Sequence, residues 1–268
     1  MNKKFRRILK RTSLTLSIII SAFATIILFP QLVFANKMKY KKFKVCSNDK
    51  IKYDIKIVLD NAIDLVQKSE LYDSNYKYNI ILCHSTFYNK IDNLLGIGPA
   101  ARGRLNNVIV KVRIDPTNNL AFSTFRKDCE INLTYLLAHE MIHCLQAKKY
   151  GIMKFNPFRH PELWKLEGYP EYISRKAELS SKDYSLTSEI DRYINLKKNK
   201  ATDIWTLAME DGCEVPNYYY KGRLMMEYLM DIKHLSYDQI LKDTVSENTI
   251  FMEIIKWNDN AKVVPSFQ

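Results

Sequence analysis

"INLTYLLAHEMIHCLQAKKYG" occupies residues 131–151. Apolar residues recur at Leu133, Leu136, Leu137, Met141, Cys144 and Leu145, and the run stops at Gly151, which is the pattern of a helix and its end. Side chains four apart on a helix share one face, one turn from each other. His139 and His143 therefore stand side by side, able to offer two nitrogens to one ion at about 2.0–2.1 Å. Glu140 lies about 100° round the helix from His139. That is too far round for a natural third ligand, yet near enough to reach a water beside the ion. The string His-Glu-x-x-His thus puts two ligands and a general base on little more than one turn. Its immediate neighbours are uncharged, which embeds it in a buried central helix.

The third ligand decides the class. An extension His-x-x-Gly-x-x-His is excluded, because Gln146 and Lys149 occupy the Gly and His positions. His160 falls in a Pro-flanked loop, "NPFRHPE", and reads as a surface histidine. The better candidate is Glu167 in "PELWKLEGYPEYISRKAEL" (161–179), 24 residues past His143 on a second helix. Packed against the first helix, it completes a His, His, Glu set with a fourth position open for water, the arrangement of catalytic zinc. Glu171, one turn further on, is placed to accept the outer N–H of a ligand histidine and hold its tautomer.

These segments resemble the gluzincin metallopeptidases, the clan of thermolysin and the M1 aminopeptidases. "WKLEG" is similar to the Trp-Leu-x-Glu-Gly segment of M1-like members at Trp164, Glu167 and Gly168. The resemblance implies one zinc ion on His139, His143 and Glu167, with Glu140 as base. "NYYYKG" (217–222) is similar to the Tyr-x-Lys-Gly segment that carries a transition-state tyrosine. Aligned on Lys221-Gly222 that residue is Tyr219, with Tyr218 and Tyr220 as rivals. The segment that holds a substrate N-terminus in M1 aminopeptidases has no counterpart upstream of His139. "AMEDG" (208–212) lies on the wrong side of the motif. The likeness, over about 131–243, is nearest to the peptidase-MA-like proteins. It implies a thermolysin-like zincin core with an edge strand beside the cleft, for which "NNVIVKVRI" (106–114) is the natural candidate.

Outside this region the reading is coarser. Strands are expected near 41–46, 77–85 and 106–114, and helices near 50–70 and 87–96. Further helices are expected near 161–180, 186–198, 216–233, 236–243 and 247–257. Strands first and helices after describe an α+β fold. The expected organisation is a single metallopeptidase domain, 36–268, with an α/β part (36–151) and a helical part (152–268).

Residues 1–35 stand apart. "MNKKFRRILKR" carries six basic residues and no acid, and "SLTLSIIISAFATIILF" is apolar. Pro30 and Val33-Phe34-Ala35 follow, so the segment reads as a secretory signal peptide cleaved after Ala35, with an uncleaved anchor as the alternative. Its removal lowers the net charge from +12 to +6. That mild basicity suits an anionic envelope or membrane surface. No basic cluster interleaved with aromatics marks a nucleic-acid face, and runs such as "KMKYKKFK" (37–44) read as solvated surface. The five cysteines, Cys46, Cys83, Cys129, Cys144 and Cys213, lack C-x-x-C spacing and allow at most two bridges. The expected activity is that of an exported zinc peptidase acting on peptide or protein substrates. The alternative is an envelope-associated binding protein that keeps the zinc fold without hydrolysis.

Overall fold

A computed structural model describes residues 3–263 except 85, 94–99, 124–128, 152–153, 156–159 and 200–204. The fold is mixed α and β, with small sheets preceding a mainly helical C-terminal part. An N-terminal helix, α1 (Lys3–Leu28), leads through a 3-10 turn at Pro30–Leu32 into a five-stranded mixed sheet. Its strands are β1 (Asn36–Tyr40), β2 (Phe43–Ser47), β3 (Tyr78–Leu82), β4 (Ala101–Arg104) and β5 (Asn107–Val110), in the order β1-β2-β3-β5-β4. β2, β3 and β5 run parallel, and the two edge strands are antiparallel to them. Parallel strands covered on both sides are buried on both faces. This explains the unbroken apolar run of β5, all four of whose residues are buried.

On the inner face lie α2 (Ile55–Val66) and the central helix α4 (Leu133–Tyr150). Ile55, Val58, Leu59, Ala62, Ile63 and Val66 of α2 recur every three or four residues and pack into the main core with Val45, Ile80, Val108 and Val110 of the sheet. The outer face carries a second, smaller core of Phe34, Cys46, Ile81, Cys83, Tyr88 and Ile109, under α3 (Phe87–Asn93). The expected end of that helix at Gly96 lies outside the described residues.

One sequence expectation is corrected. "NNVIVKVRI" is not one edge strand. Its first half is β5, interior to the sheet, and its second half opens an antiparallel meander with β6 (Arg113–Asp115), β7 (Leu120–Ser123) and β8 (Cys129–Asn132). The edge strand is β4, whose "ARGR" carries little strand propensity and gains its conformation from pairing with β5. The "KMKYKKFK" run is surface as expected, with Lys37, Lys39 and Lys41 exposed on β1 and the turn into β2. β8 runs into α4, and the Asn132 side chain caps the helix by accepting the Tyr135 N–H.

The C-terminal part comprises α5 (Leu163–Ser174), the short α6 (Lys176–Leu179), α7 (Leu186–Asn199), the hairpin β9 (Thr206–Ala208) and β10 (Glu214–Pro216), and α8 (Asn217–Glu227) with a π turn at Tyr228–Ile232. It ends with α9 (Tyr237–Lys242) and α10 (Glu247–Val263). A disulfide, Cys129–Cys213, ties β8 to this hairpin, and Cys46, Cys83 and Cys144 are free and buried.

Candidate metal centre

α4 is buried along almost its whole length, and its buried set includes the polar side chains of His139, Glu140 and Gln146. Buried polar groups need partners, and α5 and β4 supply them. β4 approaches α4 closely because Gly103 stands at that contact, while Gly168 stands where α5 meets α8. A Cβ on Gly168 of α5 would meet the Gly222 carbonyl oxygen of α8 at 2.5 Å. One on Gly103 of β4 would meet the Glu140 carbonyl oxygen at 2.4 Å and His143 Cβ at 2.7 Å. Gly168 and Gly222 thus have a packing role, letting α5 and α8 cross nearly in backbone contact.

α5 delivers Glu167. Its Oε2 lies 3.2 Å from His139 Nε2 and 3.0 Å from His143 Nε2, and the two nitrogens are 3.1 Å apart. Ligands around a tetrahedral ion at 2.0–2.1 Å sit about 3.3 Å from one another. The triangle is therefore close to the size that three ligands of one small divalent ion require, and these three residues form a group able to hold a metal.

The proton positions around His143 follow from a chain of groups. The Lys165 carbonyl can only accept, so the Tyr237 hydroxyl donates to it (3.0 Å) and accepts from Gln146 Nε2 (2.7 Å). Gln146 Nε2 also donates to the Leu166 carbonyl at 3.0 Å. That carbonyl is free because Pro170, four residues on in α5, has no N–H to offer. Gln146 Oε1 is then an acceptor and takes the His143 Nδ1–H at 2.7 Å. His143 Nε2 is left bare, facing the site. His139 Nδ1 lies 3.2 Å from Glu171 Oε1, an ion-pair distance without the alignment of a hydrogen bond, so this buried nitrogen has no full partner. Glu171 in turn holds Arg175 at 3.0 Å, and Arg175 also pairs with Glu178.

Two imidazole nitrogens and a carboxylate oxygen within 3.2 Å of one another repel unless positive charge, a proton or a metal ion, lies among them. The electrostatics show the same demand. Burial alone would lower the His139 pKa, but Glu167 and Glu171 outweigh it and push it up to about 10. Burial would raise Glu167, yet the two histidines hold it well below the carboxylate range. The residues present fit a small divalent ion. His143 and Glu167 side chains each keep 15% of their surface exposed, so the centre stays open to water.

Glu140 is buried, and its carboxyl is raised by burial against the pull of both histidines and of the Gly103 backbone N–H. The Tyr219 ring stands 5.3 Å from the His139 ring. Tyr220 turns away, donating its hydroxyl to Glu189 and stacking on Tyr193. Tyr218 sets its ring edge-on to Tyr219 at 4.8 Å. Burial raises the Tyr219 phenol well above its usual range, which keeps it neutral and a donor. His160 lies apart, exposed, as the sequence suggests. Gln146 is a partner of His143 that the sequence reading misses; its signal is a polar residue three positions after a ligand in an apolar helix. No family model matches the chain, and no curated protein or solved structure matches it either.

Proposed function

We propose that this chain is an exported zinc-dependent peptidase of gluzincin type. The reading is carried by the triangle of His139 Nε2, His143 Nε2 and Glu167 Oε2, all within 3.0–3.2 Å. When bound, a divalent ion supplies Lewis acidity and lowers the pKa of water beside it. The chain's own residues do the rest. Glu140 accepts a proton from the attacking water on its carboxylate and passes it to the leaving amine. The neutral Tyr219 hydroxyl donates to the oxygen on which negative charge develops. Gln146 accepts the His143 Nδ1–H and Glu171 faces His139 Nδ1 at 3.2 Å, with both Nε2 atoms turned toward Glu167. β4 pairs with β5 on one side only, and its Gly103 N–H reaches Glu140 on the other. A free strand edge next to the base suits an extended peptide backbone. Export is supported by the N-terminal apolar helix and by the disulfide, which belongs to an oxidising compartment.

Metal analysis beside digestion of a peptide library by the purified protein and by Glu140→Gln tests the reading. Expected are zinc near one per chain in both proteins and cleavage only in the first. Bound zinc without cleavage would favour the binding-protein alternative, and no bound metal, or equal cleavage by both, would overturn the proposal.

A further inference from the structure

We infer that the N-terminal helix is retained as a membrane anchor, because the chain just after it is part of the folded domain. Cleavage after Ala35 would discard Pro30 and Phe34. Both are buried, and Phe34 is 2% exposed with its ring edge against Tyr88 at 5.8 Å. Phe34 fills the outer core with Cys46, Ile81, Cys83 and Ile109, and Ile26 of α1 packs on the same cluster. Without this segment, a sheet face carrying Ile81, Ile109 and Tyr88 would lose its cover.

The helix end is also built into the domain. The last carbonyls of a helix have no partner within it. Here Arg104 of β4 donates to the Ile27 carbonyl at 3.4 Å, and Asn107 of β5 donates to the Leu28 carbonyl at 3.3 Å.

The remaining surface of α1 has the chemistry of a lipid partner. Residues Lys10–Leu28 form 19 helical residues of mean hydropathy 1.7, none buried. The uncharged part, Thr12–Leu28, is about 26 Å long at 1.5 Å per residue, near a hydrocarbon core of about 30 Å. Phe29, Leu32 and Val33 are exposed around the buried Pro30 and Phe34, forming an apolar collar where the helix meets the domain. Six basic residues at the far end, Lys3 to Arg11, orient that end inward and the domain outward. β4 then links membrane and centre directly, since Arg104 caps the anchor while Gly103 touches Glu140 and His143.

The test is expression of the full chain with a C-terminal tag in a secretion-competent host. It reads intact mass and partition after alkaline carbonate washing. Retention predicts the full-length mass in the membrane pellet, whereas an N-terminus at Asn36 or release by carbonate overturns it. A second measurement compares Phe34→Ala with Ile19→Ala in detergent. Loss of a buried aromatic predicts a Tm lower by roughly 5–10 °C for Phe34→Ala, and no shift for Ile19→Ala on the exposed helix. An unchanged Tm for Phe34→Ala, or equal shifts for both, would overturn the core role of the segment.

Discussion

Two buried carboxylates, Asp92 and Glu167, are handled in opposite ways. Asp92 of α3 is completely buried, and cations meet both its oxygens: Arg104 at 2.6 Å, Lys111 at 3.2 Å and Arg102 at 3.6 Å. Burial would raise its pKa, but Arg104 and Arg102 hold it below the usual range. Its bonding capacity is spent on two guanidinium groups and an ammonium group. Glu167 instead faces two imidazole nitrogens that are 3.1 Å apart, and its side chain remains partly exposed. A saturated carboxylate holds structure together. One shared between two imidazoles is a place suited to a cation.

The strongest way to break that contrast is at Glu140: if it is the base of the proposed peptidase, Glu140→Gln should cost about 10²- to 10⁴-fold in the rate of peptide cleavage, read with metal content unchanged. Next comes Asp92→Asn. It strands Arg104 and Lys111 in a buried site and should cost on the order of 3–5 kcal/mol of unfolding free energy, measured by denaturant titration. Zinc affinity should not change. If Asp92→Asn weakened zinc binding as much as a change at Glu167, the two sites would not be separable in this way. Gln146→Ala tests the proton chain. It should weaken zinc binding about 10- to 100-fold, measured by competition with a chelating dye, while leaving Glu171 and Arg175 paired.

The smallest expected effect concerns a third buried carboxylate, intermediate between the two. Glu227 accepts the Tyr184 hydroxyl at 2.5 Å and lies 3.9 Å from Arg223. Burial dominates over both and raises its pKa from the ordinary 4.5 to about 7. The folded state therefore holds a proton that the unfolded chain releases, so stability falls as pH rises from about 4.5 through 7. Glu227→Gln should remove that slope and make the protein more stable at pH 8, on the order of 1–2 kcal/mol. Equal stability of both proteins across this range would place Glu227 with the saturated class.

Much of the centre was legible because it is local or carries a spacing. His139 and His143 share a face by helical periodicity, and Glu167 follows in "WKLEG", where Gly168 proves to be the point at which α5 meets Gly222 of α8. Tyr219 is a different case. Alignment on Lys221-Gly222 selects it, but nothing in three consecutive tyrosines separates it from Tyr218 and Tyr220. The separation comes from α7, where Glu189 and Tyr193 draw Tyr220 away. The edge strand was misplaced for a similar reason. β5 has the β-branched residues of a strand, while β4 owes its conformation to β5 and to the gap that Gly103 leaves over α4.

By itself the sequence determined the central helix with His139 and His143 on one face and Glu140 beside them, the α+β order of elements and an apolar N-terminal span. Each rests on periodicity or composition within a few turns of chain. Only the tertiary structure decided which imidazole nitrogens face inward, that Gln146 sets one of them, that Cys129 pairs with Cys213, and that Phe34 lies inside the domain. Apart from Gln146, whose own orientation is set by Tyr237, these depend on partners tens of residues away in the chain. Helix and strand packing brings those partners into contact, and no local pattern encodes that.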